Sequence, residues 1–152
     1  MTTNNKLDKS FGPVGTLAGV FLFVAGLIIT YFSLTGLILV VIGAFVGFTA
    51  TSTLIDFDKR RLKFSNNLFG IIRIGKWINI NADMKIGIKK SNKLWRTYSR
   101  SNRTLDQAKN DYRLTLFDKN GKEIMPIKKY SNLDSAKLDL NKIKTQLELS
   151  II

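Results

Sequence analysis

The chain has 152 residues, enough for one ordinary domain, and its 24 lysine and arginine residues against 11 acidic residues give a formal net charge of +13. It contains neither cysteine nor histidine, which excludes disulfides, thiolate chemistry and the commonest general base and metal ligand. We therefore predict a protein that is not an enzyme and that uses no metal and no cofactor.

The charged residues are unevenly distributed along the chain. None occurs in the 45 residues from Phe11 to Ile55, whereas 22 of the 24 basic residues and 10 of the 11 acidic residues follow, a net charge of +12. About 20 helical residues cross a hydrocarbon core of roughly 30 Å, so this stretch predicts two membrane crossings. The predicted organisation is an N-terminal cytoplasmic tail (1–13), a transmembrane hairpin (14–52, with helices at about 14–31 and 35–51) and a basic cytoplasmic domain (53–152).

Six glycines of the charge-free segment are arranged symmetrically about Tyr31. In an antiparallel hairpin that turns there, each glycine of the first helix would lie at the depth of one in the second. Small residues four positions apart let two helix backbones approach closely. We predict that this glycine seam is the helix–helix contact, although it would also serve contact with another protein, and glycine is frequent in membrane helices. The seam consists of Gly15, Gly19, Gly26, Gly36, Gly43 and Gly47.

Positive charges flank the hairpin, and its turn has none. Lys6 and Lys9 precede the first helix, and four basic residues follow the second. Positively charged flanks stay on the cytoplasmic side, so we predict a multi-pass protein of the cytoplasmic (inner) membrane with both termini cytoplasmic. The rival interpretation, a cleaved signal peptide, lacks a convincing Ala-x-Ala site. The four residues predicted to set the topology are Lys59, Arg60, Arg61 and Lys63.

After Ile55 the apolar residues alternate with a period of two, which predicts a series of short strands. Asn120-Gly121, between two such runs, is the clearest hairpin signal. From Leu133 to Leu147 the period becomes three and four, after a Ser131-x-x-Asp134 capping-box pattern, which predicts one amphipathic helix. The predicted fold class is α+β: a two-helix transmembrane hairpin followed by an antiparallel β-sheet or barrel, closed by one C-terminal amphipathic helix.

Three stretches carry a resemblance to a known family: IDFDKRRLK at 55–63, GKWI at 75–78 and the helix from Leu133 to Leu149. Antiparallel strands followed by a single amphipathic helix are the order of elements found in pleckstrin-homology-like (PH-like) domains. The chain resembles the small bacterial membrane proteins that join a transmembrane hairpin to a PH-like domain. The resemblance implies a binding module in a bacterial inner membrane and no reaction, since PH-like domains commonly bind phosphoinositides or protein segments.

The stretch with the strongest excess of positive charge runs from Lys85 to Leu105, where seven cations occur without one acid. Interleaved aromatic residues favour a surface that rests on anionic lipid, and the alternative is a solvated loop in a protein that is basic throughout. Ser91-Asn92 predicts an exposed loop before a strand at Leu94 to Tyr98. The predicted binding residues are Lys85, Lys89, Lys90, Lys93, Trp95, Arg96, Tyr98, Arg100 and Arg103.

These features predict a non-catalytic, membrane-anchored binding or scaffold protein, such as an accessory subunit of a larger membrane protein complex. Its expected partners are the lipid bilayer, anionic phospholipid headgroups and another membrane protein. The alternative is a sensor of anionic lipid surfaces that acts through the basic domain. Nucleic acid would fit the charge, but the anchor and the lack of a recognisable binding signature argue against it. Asp106 and Asp111, the acids considered for catalysis, are predicted to be solvated loop residues.

Overall fold

The structure is a computed structural model that describes residues 2–98 and 104–152. The fold class is α+β, and the described residues form three helices and two sheets, one of them a half-barrel. The chain divides into two compact units. The helical unit comprises Asp8–Thr51 and Ser65–Ile74, and the β unit comprises Met1–Leu7, Ser52–Phe64 and Gly75–Ile152.

Nine strands and three helices occur in the described residues, in two sheets. The first sheet has the strand order β1-β2-β3-β4, with β5 also paired to β3, and the second has the order β8-β7-β6-β9. The elements are β1 (Thr2–Lys9), α1 (Gly12–Phe32), α2 (Gly36–Phe48), β2 (Ala50–Asp56), β3 (Arg61–Leu68), β4 (Ile72–Ile74), β5 (Trp77–Asn79), β6 (Lys85–Tyr98), β7 (Thr104–Phe117), β8 (Glu123–Tyr130), α3 (Leu133–Leu147) and β9 (Ser150–Ile151).

The two apolar helices differ in length, and this overturns the predicted location. At 1.5 Å per residue, the 21 residues of α1 extend about 31 Å, whereas the 13 residues of α2 extend only about 20 Å. Within the described residues α1 alone is long and apolar enough to cross a membrane. The predicted multi-pass protein of a bacterial inner membrane, with two crossings and both termini cytoplasmic, is therefore wrong. The second helix was expected to continue to residue 51, but Thr49 is extended and the threonine-rich segment after it forms β2.

The N-terminal segment, for which the sequence pattern predicts no element, forms β1 beside β2. Its only large apolar residue, Leu7, is buried, as is Asn5 two positions earlier. A period-two apolar pattern is therefore almost absent from this strand. The backbone hydrogen bonds to β2, a segment more than 40 residues later, determine its conformation.

The strong turn and helix signals correspond to real boundaries. Asn120-Gly121 lies in the turn between β7 and β8, where Gly121 has φ +75° and its N–H donates to Asp118 O at 2.9 Å, so this hairpin prediction is confirmed. The N-cap of α3 is Asn132, whose side chain accepts from Asp134 N at 3.0 Å, and not the predicted Ser131.

The helix α3 does not end the domain, so the predicted closure by a C-terminal helix is only partly right. One face of α3 packs on the sheets through Ala136, Leu140, Ile143 and Leu147. The chain then continues into β9, which pairs parallel to β6. The second sheet is therefore mixed, whereas the sequence predicted an antiparallel one. The core that this face of α3 joins contains Ile55, Leu62, Ile80, Ile86, Leu114, Leu116, Met125, Ile127, Leu140, Ile143, Leu147 and Leu149.

Candidate membrane-contact surface and basic sheet

Most large apolar side chains of α1 and α2 are exposed. Phe21 is 69 % exposed, Leu27 51 % and Ile38 63 %. Only 17 % of the most apolar 18-residue window of α1 is buried, whereas a core helix of a soluble domain would be mostly buried. A contiguous apolar surface of this kind marks a site of contact with a membrane or another protein.

The two helices touch along their glycines. A Cβ atom added at Gly19 would lie 2.4 Å from Gly47 N, and one added at Gly43 would lie 2.3 Å from Phe23 N. At these distances backbone meets backbone, and no larger residue fits. The pairs are offset by about one helical turn from the predicted symmetry, because the chain reverses after Phe32 and not at Tyr31. Among the six predicted seam glycines, Gly19, Gly26, Gly36, Gly43 and Gly47 face the other helix, whereas Gly15 lies beside Phe11.

The turn at the tip of the hairpin bonds its polar groups internally. Ser33 N donates to Ile29 O at 2.8 Å, and Gly36 N donates to Ser33 O at 3.1 Å. Thr35 N donates to Ser33 Oγ at 3.4 Å. Backbone groups in hydrocarbon find no water and must bond within the protein. These bonds satisfy part of the polar backbone of the tip within the protein.

The two ends of the hairpin are held side by side. Ser10 N donates to Thr49 O at 3.2 Å. Asp8 N donates to Thr51 Oγ1 at 3.2 Å, and that hydroxyl in turn donates to Asp8 O at 3.2 Å. The chain therefore enters and leaves the helix pair at one level, and the tip is the far end.

The predicted binding residues that the structure describes lie along β6. This strand is continuous from Lys85 to Tyr98, so the loop predicted at Ser91-Asn92 does not form. Arg100 and Arg103 lie outside the described residues, and only the backbone of Tyr98 is described. Since side chains alternate across a strand, one face carries Lys85, Lys89, Lys93 and Trp95, and the other carries Lys90 and Arg96.

The first of these faces continues into a row of cations across three strands. Lys89 is opposite Arg113 on β7, and Arg113 is opposite Lys129 on β8. Like charges in directly opposed positions repel, so the row needs acids nearby. Glu123 pairs with Lys89, and Asp111 pairs with the other two cations. A stretch without acids in the sequence thus has acidic neighbours in the folded sheet.

Asp111 lies at the centre of this ion-pair network and is 1 % exposed, so the prediction of a solvated loop residue is wrong. Its Oδ1 accepts from Arg113 Nε at 3.1 Å and its Oδ2 from Arg113 Nη2 at 3.0 Å. Lys129 Nζ lies 3.1 Å from the same Oδ2. Burial by itself would raise the pKa of Asp111, but the hydrogen bonds and charges of the two cations outweigh it and lower the pKa below its usual value. The ionised Asp111 therefore links Arg113 of β7 to Lys129 of β8.

Acid should weaken the β unit, because a second carboxylate is also held ionised. Hydrogen bonds from Lys128 and Tyr130 lower the pKa of Asp139. A depressed folded-state pKa stabilises the fold above the unfolded pKa of about 3.9, and this contribution is lost as the pH falls through the folded value. We expect the free energy of unfolding, measured by denaturant titration in detergent, to fall below about pH 4. Asp139→Asn should make this acid limb less steep, and an equally steep limb in the variant would contradict the assignment.

The basic residues after the hairpin are engaged in tertiary contacts. Arg60 donates from Nη1 to Glu148 Oε2 at 2.8 Å. Arg61 Nε lies 3.1 Å from Asp56 Oδ2, and its guanidinium lies 4.3 Å from the ring centroid of Trp77. These contacts join the turn after β2 to the rest of the β unit. They involve two of the four residues predicted to set topology, Lys59, Arg60, Arg61 and Lys63.

A polar cleft of about 330 Å³ opens beside the Asp111 network. Its basic lining favours an anionic or hydrogen-bonding ligand over an apolar one. No group of three or more acidic side chains that could hold a metal ion occurs in the part of the chain that the structure describes. The cleft is lined by Lys6, Leu7, Asn110, Asp111, Lys129, Tyr130 and Ser131.

Comparison with known proteins shows no matching family model and no significant match among curated proteins or solved structures. Of the predicted resemblance to membrane-anchored PH-like proteins, the coarse layout is present: an N-terminal helix joined to a curled β-sheet domain.

Proposed function

We propose that this chain is a non-catalytic, membrane-anchored binding or scaffold protein. The observation that carries the proposal is the exposed, charge-free outer surface of α1 and α2. Apolar surface left in water costs roughly 25 cal/mol per Å², and soluble monomers rarely expose a patch of this extent. Burial in lipid removes that cost, and the hydrogen bonds within the tip reduce the number of polar groups that would lack a partner there.

The helix pair is inserted from one face of the bilayer and does not make two crossings. Two observations support this topology: the ends of the hairpin are hydrogen bonded to each other, and α2 extends only about 20 Å. In this arrangement α2 has no need to cross the hydrocarbon core of roughly 30 Å. The helix pair is inserted as one body, held together by its glycine contact.

The β unit is the binding module, and we assign it to the PH-like class of the small bacterial membrane proteins. Support comes from antiparallel strands followed by a packed amphipathic helix, although β9 is an addition to that pattern. Anchoring raises the effective concentration of the module near other membrane proteins, so weak contacts suffice. Glu123 and Asp111 are ion-paired with Lys89, Arg113 and Lys129, and cations that already have acidic partners favour a protein partner, as for an accessory subunit, over an anionic lipid surface.

Lipid insertion is tested by flotation of the purified full chain with liposomes. Replacing Leu27 and Ile38 together by lysine places charge on the outer surface of the hairpin, where both side chains are more than half exposed. A lysine deep in the bilayer costs about 2.5–3.5 kcal/mol, so partitioning should fall at least about a hundredfold. Leu138→Lys is the matched control, because Leu138 is 74 % exposed on α3. Unchanged flotation of the double variant would refute the anchor.

Extraction in mild detergent at near-physiological salt, followed by mass spectrometry, distinguishes a protein partner from a lipid surface. A defined stoichiometric membrane protein in the eluate supports the accessory-subunit role. Recovery of the chain alone, together with liposome binding that weakens as salt rises, would instead support the lipid-surface sensor.

A further inference from the structure

The helical unit contains a second exposed apolar element, the isoleucine loop, which we define as residues 69–74. Ile71 is 81 % exposed, Ile72 54 % and Ile74 55 %. The period-two spacing of Ile72 and Ile74 predicts a strand with one buried face. Among the residues that the structure describes, β4 pairs with β3 alone, and all three of its side chains are exposed.

The isoleucine loop is attached to the hairpin by aromatic contacts. The ring of Phe69 packs edge-on against Phe45 of α2 with centroids 5.5 Å apart, and Phe45 makes the same kind of contact with Phe11 at 5.5 Å. Phe69 N also donates to Thr49 Oγ1 at 3.4 Å. These contacts place the loop at the end of the hairpin where the chain enters and leaves.

The backbone of the loop is held in a conformation that a bulky residue rarely adopts. Phe69 has φ +55° and Gly70 has φ +73°. For a phenylalanine this left-handed conformation is strained, and such strain persists only where the surroundings fix it. Here it directs the Phe69 ring to the hairpin and leaves the isoleucines after it exposed.

The composition of the loop matches the boundary between headgroups and hydrocarbon. It contains no acid, and its one charged residue is Arg73. A long cationic side chain between apolar neighbours can keep its charge among anionic headgroups while its stem and the neighbours contact acyl chains.

We propose that the isoleucine loop is a third lipid-contacting element, which inserts into the bilayer interface beside the base of the hairpin. The inference rests on the proposed membrane anchor. Its occupant is the lipid bilayer, because the loop continues the charge-free apolar surface of the same compact unit through the Phe45–Phe69 contact. The loop stabilises the bound orientation of the base of the anchor.

The test uses the absence of natural cysteine in the full chain. Single variants Ile71→Cys, Leu27→Cys and Leu138→Cys are labelled with the same environment-sensitive fluorophore and reconstituted in liposomes of phosphatidylcholine and phosphatidylglycerol. Quenching by spin-labelled lipids is then measured at each site. All three positions are more than half exposed, so labelling leaves the core intact, which circular dichroism checks.

We expect the label at Ile71 to be quenched several-fold more than the label at Leu138, and best by spin labels near the headgroups. If the label at Leu27 is strongly quenched but the label at Ile71 is quenched no more than the label at Leu138, the inference is overturned and the anchor is retained. If neither the label at Leu27 nor the label at Ile71 is quenched more than the label at Leu138, the anchor itself is refuted. A blue-shifted but unquenched label at Ile71 would mean that a second copy or another protein segment covers the loop, which also overturns the proposal.

Discussion

Replacing Gly19 by leucine is expected to destabilise the helix pair by about 3 kcal/mol, the upper end of the usual cost of overpacking. A Cβ atom there would lie 2.4 Å from Gly47 N and 2.8 Å from Val46 C, so the new side chain meets backbone that cannot rotate away. The helices must separate, and the contacts along the seam are lost. The measurement is the free energy of unfolding by denaturant titration in mild detergent, followed by circular dichroism.

Ala18→Leu is the control for this variant. It adds apolar volume to the same helix one position earlier, where the side chain is exposed, and alanine and leucine have similar helix propensities. We expect the control to stay within about 0.5 kcal/mol of the parent. A Gly19→Leu protein as stable as this control would show that the helices do not depend on the close glycine contact.

Replacing Asp111 by alanine is expected to cost about 3–5 kcal/mol of folding free energy. The substitution leaves Arg113 and Lys129 without their shared carboxylate, while Arg113 stays buried and directly opposite Lys129 on the neighbouring strand. Removing one member of a buried ion pair is more harmful than never having the pair, because the remaining charge stays desolvated. Denaturant titration followed by tryptophan fluorescence and circular dichroism measures the loss.

Two further variants serve as controls for the stability of Asp111→Ala. Asp83→Ala removes an acid that is exposed, and its effect should stay within about 0.5 kcal/mol. Asp111→Asn keeps an oxygen acceptor but no charge, so its stability should fall between the parent and Asp111→Ala. Equal stability of the Asp83 and Asp111 alanine variants would mean that the ion-pair network does not hold the sheet together.

Local signals in the sequence predicted local structure well. The charge-free run, the Asn120-Gly121 turn and the apolar period from Leu133 to Leu147 each correspond to an element at nearly the expected place. These signals lie within a few residues of one another, so neighbouring positions are enough to read them. The α+β class follows from them.

Elements that depend on distant partners could not be predicted in this way. The strand β1 has one large apolar residue and exists through its pairing with β2, and β9 is a two-residue strand formed against β6. The end of α2 was misplaced because Thr49 and the residues after it are uncharged, so the charge pattern does not mark an end there. Their β-branched threonines and their pairing with neighbouring strands instead favour an extended conformation.

The candidate sites also differ in whether the local sequence reveals them. The glycines of the helix contact were visible because their spacing of four and seven residues is itself the geometric signal. The isoleucine loop was hidden, because alternating Ile72 and Ile74 look like any half-buried strand. The pairing of Lys89 with Glu123, 34 residues away along the chain, could not be seen in a stretch that lacks acids of its own.

The hydrogen bonds that join the two ends of the hairpin also constrain the order in which the chain folds. β1 leaves the ribosome before its partner β2, which follows more than 40 residues later, after both apolar helices. Until then the first strand has unpaired backbone groups, and contacts so distant in sequence form slowly. Both apolar helices are therefore synthesised before the first sheet can be completed, and closure of that sheet is a late step in folding.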